Sequence, residues 1–321
     1  MLINSIEVIG GLVLLIWGAD RFVLGAGAGA RNLGVAPLLV GLTVVAFATS
    51  APEILVSMVA ALRGEPGLAF GNAIGSNIVN IGLVLGLVAA IKPIRLTSAT
   101  LRREMPALLA VTLLTVSLFL DTFMSRIDGI VMLVGLIIVM IWLTRLGLRS
   151  SADDPIAADF EAEIPDKLSM KVAVLWFVIG LGTLLLGAEL LVDGAVGIAR
   201  EIGVSDVVIG VTLVALGTSL PELAVSLVSA LKEEHGMAIG NIVGSNIFNL
   251  LAVIGVAAAI EPSAVAPSVL SLHLFVMVAF TLVLFAMTYD YDGKSELSRV
   301  EGISLVAAFL AYQSYVFHGA F

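Results

Sequence analysis

Glu53 and Glu222 each stand directly after a proline, inside an apolar run long enough to cross a bilayer. On insertion scales an acid at the centre of a membrane helix costs roughly 3 kcal/mol. Two such acids kept at equivalent places point to a bound positive charge. Pro52 has no N–H, and its ring clashes with the carbonyl of Ala48. The sequence therefore predicts a kink or an unwound turn just before Glu53. Carbonyls around Ala46–Ala48 then lose their partners and must face protein, water or an ion. Thr49 and Ser50 lie one turn before Glu53 and Ser57 one turn after it, on one helical face. Ala215, Thr218, Ser219, Pro221, Glu222 and Ser226 repeat that arrangement. Further along, Asn72, Ser76 and Asn80 stand four apart as a polar stripe, and Asn241, Ser245 and Asn249 repeat it. Carboxylates, amide oxygens, hydroxyls and loosened carbonyls are the donors of hard cations such as Ca²⁺, which take about six to eight oxygens. Soft metals want sulfur or imidazole. The chain has no cysteine, and its histidines, at 235, 273 and 318, stand away from these segments and read as loop or packing residues.

Each element alone has a plainer role. Gly71 with Gly75, and Gly240 with Gly244, are small-xxx-small patterns for close helix packing. Prolines kink membrane helices, and buried Asn and Ser bond neighbouring helices. The glutamates resist that reading, because no lysine or arginine lies in the four motif-bearing helical cores to neutralise them. Asp20, Arg21, Glu189 and Asp193 read as structural, Asp20 with Arg21 as a local pair.

The elements that must position these residues come in duplicate. Residues 41–62 return at 210–231 with 13 of 22 positions identical, and 71–86 return at 240–255 with nine of 16 identical, both 169 residues on. Composition sets the class. The chain is 60% hydrophobic and 13% charged, with a mean hydropathy of +1.12, which is an integral membrane protein. With no cysteine there is no disulfide framework or thiolate metal site, and with no basic patch there is no nucleic-acid partner. The N-terminus lacks a charged n-region and a cleavage site, so it reads as a retained first helix.

Apolar spans fall near 5–30, 37–62, 68–91, 104–120, 127–147, 171–199, 206–231, 238–260, 267–288 and 300–318. The expected fold is all-α: a polytopic membrane protein of ten transmembrane helices. Five spans per half is an odd number, so the second half starts from the opposite side and the two five-helix repeats are inverted, as in many secondary transporters. The expected division is 1–148 for the first repeat, 149–170 for an acidic cytoplasmic linker and 171–321 for the second repeat. One side carries twelve Lys and Arg residues against three on the other, from Arg31, Lys92 and Arg95 through Lys232, Lys294 and Arg299 against Arg63, Arg126 and Arg200. The richer side is cytoplasmic by the positive-inside rule, which puts both termini outside. The linker acids Asp153, Asp154, Asp159, Glu161, Glu163 and Asp166 lack EF-hand spacing and read as a solvated connection.

The paired GTSLPE-type and GNxxGSNxxN segments, in two inverted halves, resemble the sodium/calcium exchanger branch of the Ca²⁺/cation antiporter superfamily, in its compact prokaryotic form. The resemblance covers essentially the whole chain. It implies an antiporter that exchanges Ca²⁺ for Na⁺ across the plasma membrane by alternating access, with no cofactor and no obligatory protein partner. It makes Glu53 and Glu222 the principal calcium ligands. Thr49, Ser50, Ser76, Asn80, Thr218, Ser219, Ser245 and the carbonyls of Ala46 and Ala215 complete the sites, and Asn249 stands where some members carry an aspartate. It implies that the first and sixth helices slide across the other eight. The proton-coupled branch usually has a glutamate in its GN motif, where this chain reads GNAIGSN and GNIVGSN. A Ca²⁺/H⁺ antiporter of the same fold is the nearest alternative. A cation channel needs no inverted repeat. An intramembrane protease needs a pair of aspartates, so the chain is expected to be a transporter and not an enzyme.

Overall fold

The computed structural model describes residues 2–35, 37–95, 98–150, 168–201, 215–267, 269–288 and 296–319. The six acids of the linker and the first part of the seventh span lie outside the described residues. Within the described residues each expected span is mainly helix. These are α1 (Leu2–Leu33), α2 (Leu38–Thr49) with α3 (Ala51–Leu62), α4 (Pro66–Ile91), α5 (Ser98–Phe119) and α6 (Arg126–Ser150) in the first half. The second half gives α7 (Met170–Glu201), α8 (Leu220–Leu231), α9 (His235–Ile260), α10 (Val269–Thr288) and α11 (Arg299–Gly319). Among the described residues six helices are long and apolar enough to cross a membrane alone, and α2 with α3 makes a further span bent by 43°.

The helices sort into two compact units, each drawing on both sequence halves. One is Met1–Ala48 with Leu143–Asn241, the other Thr49–Trp142 with Ile242–Phe321. In the first unit, α1 and α7 pack along their length. A Cβ on Gly11, Gly18 or Gly25 would run into the backbone of Leu191, Leu184 or Phe177 respectively, and one on Gly180 or Gly187 into that of Phe22 or Leu15. The partners run in opposite order, so the helices are antiparallel. The seven-residue spacing of the α1 glycines keeps one seam facing α7. Leu15, Phe22, Val23 and Leu184 are buried here together with Val45, Val225 and Met237. At one place on this pair, Trp17 and Trp176 meet edge-on, with the Arg21 guanidinium 4.9 Å from the Trp176 ring centre. Asp20 lies 3.6 Å from Arg21, the local pair expected, and 2.8 Å from Lys232. Arg31 lies 3.6 Å from Glu234. Burial raises the Glu234 carboxyl above its ordinary range, while Arg31 and Lys232 pull it down.

The second unit shows the repeat in three dimensions. β1 (Ile94–Arg95) pairs with β4 (Glu296–Leu297), and β2 (Phe123–Met124) with β3 (Ser263–Ala264), both antiparallel. Each pairing joins a first-half loop to a second-half loop separated by an even number of spans, as it must if each span crosses once. Gly86 of α4 packs against Gly302 of α11, and Gly129 of α6 against Gly255 of α9, each with a Cβ position blocked by its partner's helix. The same capping box opens α6 and α11: Asp128 accepts from Ser125 N–H and Oγ at 2.8 and 2.6 Å, and Glu301 from Ser298 N–H and Oγ at 2.8 and 2.7 Å. A reciprocal cap of this kind satisfies donors that a helix start leaves open. Ser298 follows Ser125 by 173 residues (298 minus 125), so the last pair of spans is offset by four more residues than the motifs are. The offset of 169 found in the motifs still relates β1 to β3 (263 minus 94), so the extra four residues enter after β3.

Candidate cation-binding site

The break before each glutamate falls where proline puts it. In the first copy α2 ends at Thr49, Ser50 leaves helical geometry at φ −84° and ψ 2°, and α3 begins at Ala51. In the second copy Ser219 sits at φ −91° and ψ 4° before α8. Glu53 and Glu222 therefore both occupy the first turn of a helix. There the open N–H groups and the helix dipole favour negative charge. Both are 1% exposed.

The sequence did not reveal what happens on the partner helices. A π-helical turn begins at Asn80 in α4 (Asn80–Leu85) and another at Asn249 in α9 (Asn249–Val253). A third covers Gly41–Val45 in α2, and the equivalent 210–214 lies outside the described residues. Single π turns concentrate at functional sites, because the extra residue shifts side chains out of the regular register. Here two of them start on asparagines already singled out by spacing.

The second unit gathers Thr49, Ser50, Glu53, Ser76, Asn80, Ser245 and Asn249, all of them buried. It brings the two repeats into contact: Thr49 Oγ1 lies 3.4 Å from Ser245 Oγ. Asn72 donates to Ser57 Oγ at 3.3 Å, tying α4 to α3. The first unit holds Ala46, Ala215, Thr218, Ser219 and Glu222. Ala46, Ser219 and Glu222 are buried and Thr218 is half-buried, while Ala215 opens a short helical turn, Ala215–Gly217. Asn241 donates to Ser226 Oγ at 2.9 Å and to the Glu222 carbonyl at 3.3 Å. Gly240 lies against the Leu38 carbonyl, the close approach expected of it.

Several of these oxygens lack protein partners. The Oδ1 atoms of Asn80 and Asn249 and Ser219 Oγ are buried and make no hydrogen bond. Each such atom costs about 1–3 kcal/mol, so each calls for a reason, and open carbonyl and hydroxyl oxygens are what a hard cation takes. Among the described residues no three His, Asp or Glu side chains cluster as a metal centre would. The histidines stay apart: His235 Nε2 lies 2.9 Å from Glu233, and His273 Nδ1 lies 2.6 Å from the Tyr312 hydroxyl. Asn77 and Asn246, the last residues of the two GSN triplets, escaped the sequence reading. Their signal was available, since they too stand 169 apart.

Buried acids at two broken membrane helices, in a chain whose halves repeat in space, define a multi-pass ion transporter. The comparisons give the family. The chain matches "Sodium/calcium exchanger protein" over residues 6–145 and 172–318, and belongs to that family. It is 46% identical to CaxA of Alkalimonas amylolytica over 317 residues, 99% of each chain. It is 29% identical over 353 residues to the sodium/calcium exchanger MaX1 of Methanosarcina acetivorans, covering 98% of this chain and 99% of that one. A solved structure of the sodium-calcium exchanger NCX_Mj, soaked with zero Na⁺ and Ca²⁺, is similar with a TM-score of 0.85 and 36% identity, over 98% of this chain and 99% of that one. The fold is thus all-α, ten membrane helices in two inverted five-helix repeats. The protein is a transmembrane ion antiporter, a transporter and not an enzyme.

Proposed function

We propose that the protein exchanges Ca²⁺ for Na⁺ across the prokaryotic plasma membrane. The observation that carries this reading is a glutamate in each repeat, 1% exposed, at the start of a broken helix and among neutral oxygens. Glu53 and Glu222 are the charged ligands. Thr49, Ser50, Ser76, Asn80, Thr218, Ser219, Ser245, Asn249 and the carbonyls of Ala46 and Ala215 supply the rest. The logic is competition. Two carboxylates in a low-dielectric site repel when empty, and one Ca²⁺ or several Na⁺ cancel that charge. A neutralised site moves through the barrier at low cost and an empty one does not, which makes exchange obligatory. Relatives named as sodium/calcium exchangers support the choice of ions.

The repeats are 1–148 and 171–321, joined by a cytoplasmic linker, with both termini outside. A tag at either end that is reachable only from the cytoplasm would overturn that orientation. The coupling ion is tested in proteoliposomes by ⁴⁵Ca²⁺ uptake under imposed gradients. A Na⁺ gradient should drive uptake. Uptake driven only by a proton gradient would make H⁺ the counter-ion, and flux without any counter-ion would make the protein a channel.

A further inference from the structure

Asn246 occupies an unusual place in the second unit. It is fully buried, and it accepts twice from the other repeat. Asn77 Nδ2 donates to its main-chain carbonyl and Asn80 Nδ2 to its side-chain Oδ1, both at 3.2 Å. A primary amide has a donor end and an acceptor end of nearly equal shape, so packing alone cannot decide which end of Asn80 faces which way. An accepting atom beside it can, and here that atom is Oδ1 of Asn246, whose own Nδ2 is buried and makes no hydrogen bond. With Nδ2 held by Asn246, the opposite atom, Asn80 Oδ1, is left buried and without a hydrogen bond. Reversing either amide alone would set like ends together, and a cation on Asn80 Oδ1 favours the orientation seen.

We propose that Asn246 is a positioning residue of the ion site: it acts through Asn80, keeping that side chain's carbonyl oxygen, rather than its NH₂, available to the cation. This rests on the reading of Asn80 as an ion ligand. It also makes the site unequal at its two ends. The counterpart link would run from Asn249 to Asn77 Oδ1, and Asn77 Oδ1 makes no hydrogen bond. Asn80 is held; Asn249 is not held in the same way.

The test is cation binding to purified protein, with ⁴⁵Ca²⁺ and ²²Na⁺, alongside transport. Asn246→Leu keeps the branched outline of the side chain and removes the acceptor. It should weaken binding of at least one ion roughly 10–100-fold, as loss of a partner behind a metal ligand does, with the maximal transport rate changed less. Asn246→Asp keeps an acceptor and should bind at least as tightly as the unaltered protein. Asn77→Leu removes a bond of the same length between the same two helices without touching Asn80, so it should lower thermal stability and leave affinity within about twofold. In an Asn80→Ala background, Asn246→Leu should add nothing further, because contacts in series do not add. Unchanged affinity in Asn246→Leu, an equal loss in Asn77→Leu, or a full further loss in the Asn80→Ala background would each overturn the proposal. Glu53→Gln in the same assay keeps the two readings apart. If it loses Ca²⁺ binding while Asn246→Leu does not, only the role of Asn246 falls. If it binds normally, the carboxylate reading falls and the Asn246 cycle still stands on its own result. If the unaltered protein binds neither ion, both fall.

Discussion

The two copies of the glutamate motif are alike in sequence and unlike in surroundings. In the first, Asn72 is half-buried and makes one bond at 3.3 Å, to Ser57. In the second, Asn241 is fully buried and makes two, to Ser226 at 2.9 Å and to the carbonyl of Glu222 itself at 3.3 Å. The loops that follow differ in the same sense. Glu65 is exposed, whereas Glu234 at the equivalent place is largely covered and lies 3.6 Å from Arg31. The second copy is the more tightly held. Inverted repeats in equal surroundings would open equally to both sides, so inequality of this kind is what alternating access needs. The duplicated sequence sets which residues correspond; it does not make them equivalent in any one conformation.

The largest effects should come where the copies are most alike. Glu53→Gln and Glu222→Gln should each reduce exchange to background in proteoliposomes while the purified protein still elutes as a single folded species. If either variant alone sustained ⁴⁵Ca²⁺ uptake against a Na⁺ gradient, the two acids would not share one task.

Intermediate effects should separate the copies. Asn241→Leu removes two bonds at a fully buried position, to Ser226 Oγ and to the Glu222 carbonyl, and should cost about 1–3 kcal/mol, whereas Asn72→Leu breaks one long, half-exposed bond and should cost about 0.5–1 kcal/mol. Thermal unfolding in detergent measures both. Equal losses would erase the difference in tightness drawn from the hydrogen bonds.

The smallest effect concerns pH. Folding raises the Glu234 carboxyl above its usual value of 4.5, chiefly by burial. The folded state therefore favours the protonated form. The stability this contributes is full below the unfolded value and is lost as pH rises through the folded one. Glu234→Gln should remove that dependence and change stability near neutrality by less than about 1 kcal/mol, since the Arg31 contact is partly solvated. A slope that persists in Glu234→Gln would assign the effect to another group.

Much of the molecule was legible before any coordinates. The prolines placed both breaks just before the glutamates, because a missing N–H and a ring clash act locally. The ten spans followed from apolar length alone. Three features were not legible. The π turns at Asn80 and Asn249 depend on packing between helices, and their sequences carry no breaker. Asn77 and Asn246 looked like their neighbours until each found its partner across the repeat. The extra four residues before α11 became visible only when the matching caps at Ser125 and Ser298 fixed the register, since the terminal spans share too little sequence to align.

What the chain itself determined is the class of protein, the repeat, and the acids at the start of broken helices. Those follow from composition, spacing and backbone chemistry, which act within a few residues. Which amide holds which, which end of Asn80 is left open, and which copy of the motif is clamped were decided only by the tertiary structure. Hydrogen-bond partners 166 and 169 residues away along the chain set those choices, and no local preference can encode a partner that only folding brings near.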